Sequence, residues 1–194
     1  MKTDIILSGV GGQGILSLAA AIGEAALKEG LYMKQAEVHG MSQRGGDVQS
    51  NLRLSDRPIA SDLIPLGHAD LIISLEPMES LRYLPYLNKE GWLVTNSQPF
   101  INIPNYPDLE KVKAELDKLP HKVVLDVEAI AKEAGSMRAA NIVMLGAATP
   151  FLGIEYEKIE DGVRSIFARK GEEIVAMNLK ALKAGYELAQ KHNQ

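Results

Sequence analysis

Residues 4–14 read Asp-Ile-Ile-Leu-Ser-Gly-Val-Gly-Gly-Gln-Gly, and this stretch decides the predicted fold. Its first five residues are a short apolar run typical of a buried strand, and the Ala- and Leu-rich residues 15–26 favour a helix. Gly9, Gly11 and Gly14 lie between them at the G-x-G-x-x-G spacing. Because a strand precedes the glycines and a helix follows them, the spacing has the context of a nucleotide- or phosphate-binding turn.

Each glycine of this turn has an expected role. Gly9 is expected to take the positive φ of a tight turn, and Gly11 has no Cβ to keep a phosphate from the backbone. Gly14 is expected to let the helix lie close to the strand, with the free N–H groups of the helix start facing an anion. The spacing also arises by chance, so a tight turn without any ligand is the alternative interpretation.

The rest of the chain alternates between strand-like and helix-like segments. This alternation predicts an α/β fold, a three-layer sandwich with a mainly parallel, possibly mixed, Rossmann-like sheet and C-terminal helices, in one domain over residues 1–194. Residues 48–54 alternate with period two, which predicts an antiparallel or near-edge strand. The other predicted strands are residues 31–38, 69–75, 91–96 and 122–125, and the later predicted helices are residues 78–87, 108–119, 126–135, 155–170 and 172–191.

A polar loop follows the second predicted strand, reading His-Gly-Met-Ser-Gln-Arg-Gly-Gly over residues 39–46. Ligands of parallel sheets bind at the carboxyl ends of the strands, so this loop, the glycine turn and the strand end at residues 74–76 are expected to share one rim. Ser42, Gln43 and Arg44 are its polar side chains, and Arg44 before Gly45 is suited to grip a phosphate or a carboxylate. Arg44 is equally suited to pair with Glu37 or with a partner subunit.

Two further polar residues have open roles. Glu37 stands where an acidic residue binds the ribose of a dinucleotide, and the alternative is a solvated carboxylate at a strand end. Asn141 lies in an apolar segment and needs a hydrogen-bond partner, either the glycine turn across the site or a helix end. His39 is a candidate acid or base, but no second catalytic group is evident, so no catalytic residue is assigned.

Composition excludes several classes of function. The chain has 194 residues, a formal net charge of −4 and no basic run, which argues against nucleic-acid partners. It has no cysteine, which excludes disulfides, thiolate nucleophiles and cysteine-ligated clusters within the chain. The four histidines show no metal-ligand spacing. No apolar run is long enough to span a bilayer and no signal peptide is evident, so a cytoplasmic location is expected.

In these motifs the chain resembles the gamma-type subunits of 2-oxoacid:ferredoxin oxidoreductases. Within that family the likeness is greatest to the small (beta) subunits of the indolepyruvate ferredoxin oxidoreductases. The matching pieces are Gly-Val-Gly-Gly-Gln-Gly at residues 9–14, Glu-Val-His-Gly-Met-Ser-Gln-Arg-Gly-Gly at residues 37–46 and Asn-Ile-Val-Met-Leu-Gly at residues 141–146. The second piece, at its spacing from the first, is the specific one.

The resemblance implies a subunit of an enzyme that oxidatively decarboxylates a 2-oxoacid, most simply indolepyruvate or another arylpyruvate, to an acyl-CoA and reduces ferredoxin. Thiamine diphosphate, Mg and the iron–sulfur clusters are then expected in a large partner subunit, and CoA is the co-substrate. The isolated chain is expected to be inactive, with self-association possible when the partner is missing. The rim is expected to face a cofactor or the partner through Gly9, Gly11, Gly12, Gln13, Gly14, Ser42, Gln43, Arg44, Gly45 and Asn141.

Three alternatives stay open at this point. The chain is an oxidoreductase subunit, or a free-standing NAD(P)-binding dehydrogenase, or a nucleotide-binding regulatory module without catalysis. Gly12, Gln13 and the Arg44 loop point away from a standard dehydrogenase and favour the subunit. In that interpretation the loop around Met41 and residues 101–106 are expected to contact the partner, and Arg44 with the glycine turn binds a phosphate of CoA or a partner's carboxylate.

Overall fold

A six-stranded mixed sheet forms the centre of the molecule in the computed structural model, which describes residues 1–39 and 45–192. The strands lie side by side in the order β2-β3-β1-β4-β5-β6. Their bounds are β1 Lys2–Val10, β2 Tyr32–His39, β3 Asp47–Ser55, β4 Ala69–Ser74, β5 Leu87–Asn96 and β6 Lys122–Leu125.

One strand of this sheet runs against the others. β1, β4, β5 and β6 are parallel, whereas β3 is antiparallel to both β1 and β2, which confirms the antiparallel strand predicted at residues 48–54. β3 lies between β1 and β2, so the first two strands of the chain are not neighbours in the sheet. The physical reason is burial: β3 carries the fully buried Leu52 and Leu54 into the sheet, whereas the more polar β2 has the exposed Tyr32 and Val38 and suits the edge.

Helices cover both faces of the sheet, as the three-layer prediction requires. A large buried cluster packs α1, α5 and their neighbours against one face, and a smaller cluster packs α2 and α3 against the other. Among the residues described, no helix is long and apolar enough to cross a membrane. The helices are α1 Ile15–Lys28, α2 Pro77–Arg82, α3 Leu109–Asp117, α4 Val127–Ala134, α5 Ala140–Ala148, α6 Tyr156–Phe167 and α7 Glu172–His192.

Capping side chains mark the starts of α2, α3 and α4. Asp108 and Asp126 cap α3 and α4 as predicted, each accepting a backbone N–H with its carboxylate. The helix predicted over residues 78–87 is wrong in its second half. α2 ends at Arg82, and a 3₁₀ turn at Leu84–Tyr86 leads into β5. Pro85 within that turn has no N–H for an α-helical hydrogen bond, so the helix cannot continue.

The buried helix α5 is held at a very close crossing with α7. A Cβ built on Gly146 would lie 1.9 Å from the carbonyl oxygen of Leu182, and one on Gly185 would lie 2.0 Å from that of Val143. Only glycine allows two helix backbones to approach so closely. The crossing fixes α5, and with it Asn141 in the first turn of that helix, against the carboxyl edge of the sheet.

Candidate functional site

The glycine turn and the β2–β3 hairpin meet at the carboxyl edge of the sheet. The N–H of Gly11 donates to the carbonyl of Gly46 at 2.8 Å, and the N–H of Gly45 donates to the carbonyl of Gly11 at 3.3 Å. β4 ends beside β1 at Ser74, so Leu75 also borders the turn. The predicted shared rim is therefore present, although Ser42, Gln43 and Arg44 lie outside the described residues.

Gln13 closes the turn with its side chain. Its Oε1 accepts the N–H of Val10 at 2.8 Å, and its Nε2 donates to the carbonyl of Leu75 at 3.1 Å. A Cβ on Gly9 would lie 2.7 Å from that Oε1. Gly9, which still belongs to β1, is therefore needed to leave room for the side chain of Gln13. The tight turn expected at Gly9 begins after Val10 instead.

Asn141 does reach across to the turn, as one of its two predicted roles required. Its Nδ2 donates to the carbonyl of Gly14 at 3.3 Å. Gly14 has a left-handed φ of 88° as the residue preceding α1, and a Cβ there would lie 2.6 Å from the same Nδ2. The expectation that Gly14 brings helix and strand together is thus corrected, because its close neighbour is the Asn141 side chain.

The hydrogen bonds of the turn leave fewer donors for an anion than the sequence suggested. The N–H of Gly11 is used by Gly46 and the N–H of Gln13 by Val10. Among the described residues, the N–H of Ser17 is also used, by the carbonyl of Gly14 at 3.0 Å. The remaining donors are the N–H of Gly12 and those of Ile15 and Leu16 at the start of α1, which have no acceptor within the helix. Gly12 has a φ of 104° and is exposed. No described atom lies within 4 Å of the position of a Cβ, so a ligand can closely approach the backbone of Gly12.

A cavity of about 390 Å³ opens beside the turn. Its walls are mainly apolar, and Glu37 is the one charged residue among its described lining. The Glu37 side chain is half-buried and makes no hydrogen bond or ion pair within the described part of the chain. A carboxylate in this position repels a phosphate that enters the cavity. The lining residues are Val10, Gly11, Gly12, Gly14, Ile15, Leu16, Glu37 and Val48.

A buried carboxylate, expected at this rim but without an assigned role, forms the opposite wall of the rim. Glu76 is fully buried before α2, and it accepts the N–H of Glu79 at 2.8 Å, the N–H of Phe100 at 3.3 Å and the hydroxyl of Tyr106. Burial and this hydrogen bond raise the pKa of Tyr106, so the phenol stays a donor. The only signal in the sequence was Glu76 before Pro77, which indicated a helix start and nothing about the distant loop.

The loop held by Glu76 reaches the hairpin. Asn102 donates a side-chain hydrogen bond to the carbonyl of Gly45, which is itself bonded to Gly11. The 97–107 loop, the hairpin end and the glycine turn are thus linked in series around the rim. Within the described residues, no group of three or more His, Asp or Glu side chains is placed to bind a metal ion.

Comparison with known proteins gives one consistent family. Residues 4–188 match the family model described as pyruvate ferredoxin/flavodoxin oxidoreductase. The chain is 38% identical to the indolepyruvate oxidoreductase subunit IorB of Archaeoglobus fulgidus and 37% identical to that of Pyrococcus horikoshii, each over 97% of this chain and 96% of the relative.

Solved structures share the same architecture. The gamma subunit of a keto/oxoacid ferredoxin oxidoreductase from Geobacter sulfurreducens is 27% identical, with a TM-score of 0.73 over 98% of both chains. A 2-oxoglutarate:ferredoxin oxidoreductase from Magnetococcus marinus, with 2-oxoglutarate, coenzyme A and succinyl-CoA bound, shares the fold at 22% identity and a TM-score of 0.77. There the match covers 98% of this chain but 31% of the longer one.

Proposed function

Because the chain belongs to the pyruvate ferredoxin/flavodoxin oxidoreductase family, we propose that it is the small subunit of an oxidoreductase for indolepyruvate or related arylpyruvates. The observation that carries this proposal is similarity over whole chains, since 97% of this chain aligns with 96% of a relative named as an indolepyruvate oxidoreductase subunit. The residues around the cavity do not themselves select an indole ring, so the substrate assignment depends on the relatives.

The proposed complex converts a 2-oxoacid and CoA to an acyl-CoA, CO₂ and a proton. Both electrons released by cleavage of the bond between the carbonyl and carboxylate carbons pass to ferredoxin. Thiamine diphosphate supplies the stabilisation of the carbanion formed on decarboxylation. We assign it, with Mg and the iron–sulfur clusters, to the large partner subunit, because this chain has no cysteine to ligate a cluster. A cytoplasmic location fits such a complex.

In this proposal the rim faces the large subunit and contributes to binding of CoA. Gly9, Gly11, Gly14, Gln13 and Asn141 shape the turn through the contacts described above. The proposed anion-binding groups are the N–H groups of Gly12, Ile15 and Leu16, together with the side chains of Ser42, Gln43 and Arg44. Gly45 shapes the site instead, because its N–H is bonded to the carbonyl of Gly11. A phosphate of CoA or a carboxylate of the partner fits this combination of backbone donors and a guanidinium.

A nicotinamide dinucleotide is not favoured by the same geometry. A Rossmann site needs the acidic residue on the strand beside β1, and here β3 separates β1 from the strand that carries Glu37. It also needs the amides of the glycine turn, and the N–H groups of Gly11 and Gln13 are already used.

Reconstitution with the large subunit tests the proposal. The chain is purified alone and co-expressed with the large subunit from the same source, and reduction of ferredoxin is measured with indolepyruvate, phenylpyruvate or pyruvate plus CoA. We expect the complex to turn over an arylpyruvate at about 1 per second or faster, a typical enzyme rate, and the isolated chain to be inactive. Turnover by the isolated chain, or a complex that prefers pyruvate, contradicts the proposal. Calorimetry with NAD and NADP is expected to show no micromolar binding.

A further inference from the structure

Exposed apolar side chains gather around the glycine turn. Leu16 and Val38 are 59% and 56% exposed on one side of the turn, and Phe100, Ile101 and Ile103 are exposed on the loop linked to it through Gly45. We call these five residues, together with the cavity, the rim surface. Monomeric proteins rarely leave a contiguous apolar patch next to a binding cleft uncovered, so the rim surface is a candidate protein interface.

The charge of the rim surface restricts what can cover it. The loop side is uncharged, because residues 97–107 contain no Asp, Glu, Lys or Arg. In the cavity, Glu37 supplies a carboxylate with no basic group beside it among the described lining residues. A covering surface that places a cation at Glu37 and apolar groups around it is complementary to both parts.

We propose that the rim surface docks the large subunit, and that a lysine or arginine of the large subunit enters the cavity beside Glu37. This inference rests on the proposed function, which supplies the partner. The aliphatic stem of the basic side chain packs against Val10, Ile15 and Leu16, and its charged end bonds to the Glu37 carboxylate.

The size of the cavity and the exposure of Gly12 indicate that more than one side chain of the large subunit enters. About 390 Å³ exceeds the volume of one side chain, so part of the backbone that carries the basic residue enters as well. Gly12 presents open space at that point, which allows the incoming backbone a close approach.

Single cysteines test where the partner sits, because the chain has no native cysteine. Leu16→Cys labels the rim surface, and Leu27→Cys is a matched control on the same helix with 61% exposure in the parent residue. We expect assembly with the large subunit to slow maleimide labelling of Leu16→Cys by about tenfold or more and to leave Leu27→Cys unchanged, because thiol reactivity follows exposure. Equal rates at Leu16→Cys with and without the partner overturn the proposal.

Charge variants test the cation. In the reconstituted complex, Glu37→Gln is expected to weaken assembly about tenfold and Glu37→Lys by a further factor of about ten, because a close charge pair is first lost and then replaced by repulsion. Glu173→Gln, an exposed residue of α7, is the control and leaves the dissociation constant unchanged. The dissociation constant of the wild-type complex is also expected to rise more steeply with salt than that of Glu37→Gln.

The outcomes separate the two proposals. A wild-type chain that neither assembles nor supports turnover contradicts the proposed function. A wild-type chain that assembles while Glu37→Gln and Glu37→Lys bind as tightly contradicts only the cation at Glu37. If Glu37→Gln and Arg44→Ala lower the unfolding temperature of the isolated chain by the same amount, and the double variant adds nothing, the cation is Arg44 of this chain and the partner's basic residue is excluded.

Discussion

The amino edge of the sheet, where the parallel strands begin, and the carboxyl edge, where they end, differ in how their carboxylates are paired. At the amino edge the carboxylate of Asp4, with no exposed surface, accepts two hydrogen bonds from Arg53 at 2.7 and 2.9 Å and pairs with Lys2 at 2.8 Å. The same Arg53 donates to the carbonyls of Ser61 and Leu63 and so ties down the following loop. At the carboxyl edge, Glu37 has no described partner and exposed apolar side chains surround the turn.

This difference separates stability from function along the same strands. A charged group whose hydrogen bonds and ion pairs are all made within the chain is not free to bind a ligand. The contacts at the amino edge therefore stabilise the fold. A half-buried charge without a described partner retains that capacity, and it sits where open α/β sheets bind their ligands. Variants that weaken one edge at a time therefore separate the consequences for folding from those for assembly.

The largest effect is expected at the amino edge. Arg53→Met leaves the Asp4 carboxylate buried without its main partner, and we expect the free energy of unfolding to fall by about 3–5 kcal/mol. Arg57→Met, an exposed arginine four residues away, is the control and should change stability by less than about 0.5 kcal/mol. Urea unfolding of the isolated chain measures both. Equal stability of the two variants would show that the charge of Asp4 is tolerated without Arg53.

At the carboxyl edge, Arg44→Ala is expected to affect the complex and not the isolated fold. Loss of a charged hydrogen bond costs about 1.5–3 kcal/mol, so the apparent CoA requirement should rise about tenfold or more. Steady-state kinetics with varied CoA measures the effect, and Arg169→Ala, at an exposed site beyond α6, serves as the control. Wild-type constants for CoA together with wild-type assembly would make the rim a structural turn only.

The contact between the turn and α5 predicts a smaller, purely structural effect. Gly14→Ala forces alanine into a left-handed conformation, which costs about 1–2 kcal/mol, and it also places a methyl group against Asn141. We expect Asn141→Ala to relieve the second cost, so that the double variant is more stable than the sum of the single effects predicts. Strict additivity in urea unfolding would mean that Asn141 moves aside without cost.

The hydroxyl of Tyr106 is expected to contribute about 1 kcal/mol, the typical value of one hydrogen bond. Tyr106→Phe removes the donor to the buried Glu76 and should increase hydrogen exchange of the Phe100 amide, which bonds to the same carboxylate oxygen. Tyr32→Phe, at a half-exposed position of β2, controls for removal of a phenol hydroxyl. Unchanged exchange at Phe100 would show that Glu76 holds the loop without Tyr106.

The smallest expected effect is that of pH: acid should reduce the stabilisation that Asp4 provides at the amino edge. Burial alone raises the pKa of Asp4, but hydrogen bonds from Arg53 and Lys2 outweigh it and hold the pKa below its ordinary value. The stabilisation is therefore complete above the unfolded pKa of about 3.9 and is lost as the pH falls through the folded pKa. The stability difference between wild type and Asp4→Asn, followed by thermal unfolding, should shrink below about pH 4. A difference that grows on acidification would contradict the assignment.

The sequence predicted the sheet class and most element ends because these depend on local patterns. Apolar runs, period-two alternation at residues 48–54 and capping residues such as Asp108 act within a few positions of the chain. The place of β3 between β1 and β2 was not predictable in this way, because strand order depends on contacts between distant segments. The end of α2 differs for another reason: the apolar spacing at residues 78–87 continues past Arg82, whereas Pro85 cannot donate an α-helical hydrogen bond.

The position of the glycine turn was predicted, but its internal contacts were not. The turn lies at the carboxyl edge of the sheet, and Asn141 contacts it there. The spacing also suggested a phosphate cradle, whereas Gly9 makes room for Gln13 and Gly14 for Asn141. The glycine spacing indicates that an atom approaches the backbone closely. It does not distinguish an approaching ligand from a side chain of the same protein. The role of Glu76 was missed because its partners, Phe100 and Tyr106, are more than twenty positions away.

The insertion of β3 next to β1 also sets the order in which the chain can assemble during synthesis. β1 leaves the ribosome first, yet its two neighbours in the sheet, β3 and β4, end at Ser55 and Ser74. At about 5–20 residues per second, the apolar first strand waits several seconds for either neighbour. The β2–β3 hairpin can form locally in that time, and its arrival at β1 joins Gly46 to Gly11. The cavity side of the rim surface is thus completed only once the hairpin has docked, and the later loop with Phe100, Ile101 and Ile103 completes the other side. A complete rim surface therefore marks that the chain has folded through residue 103.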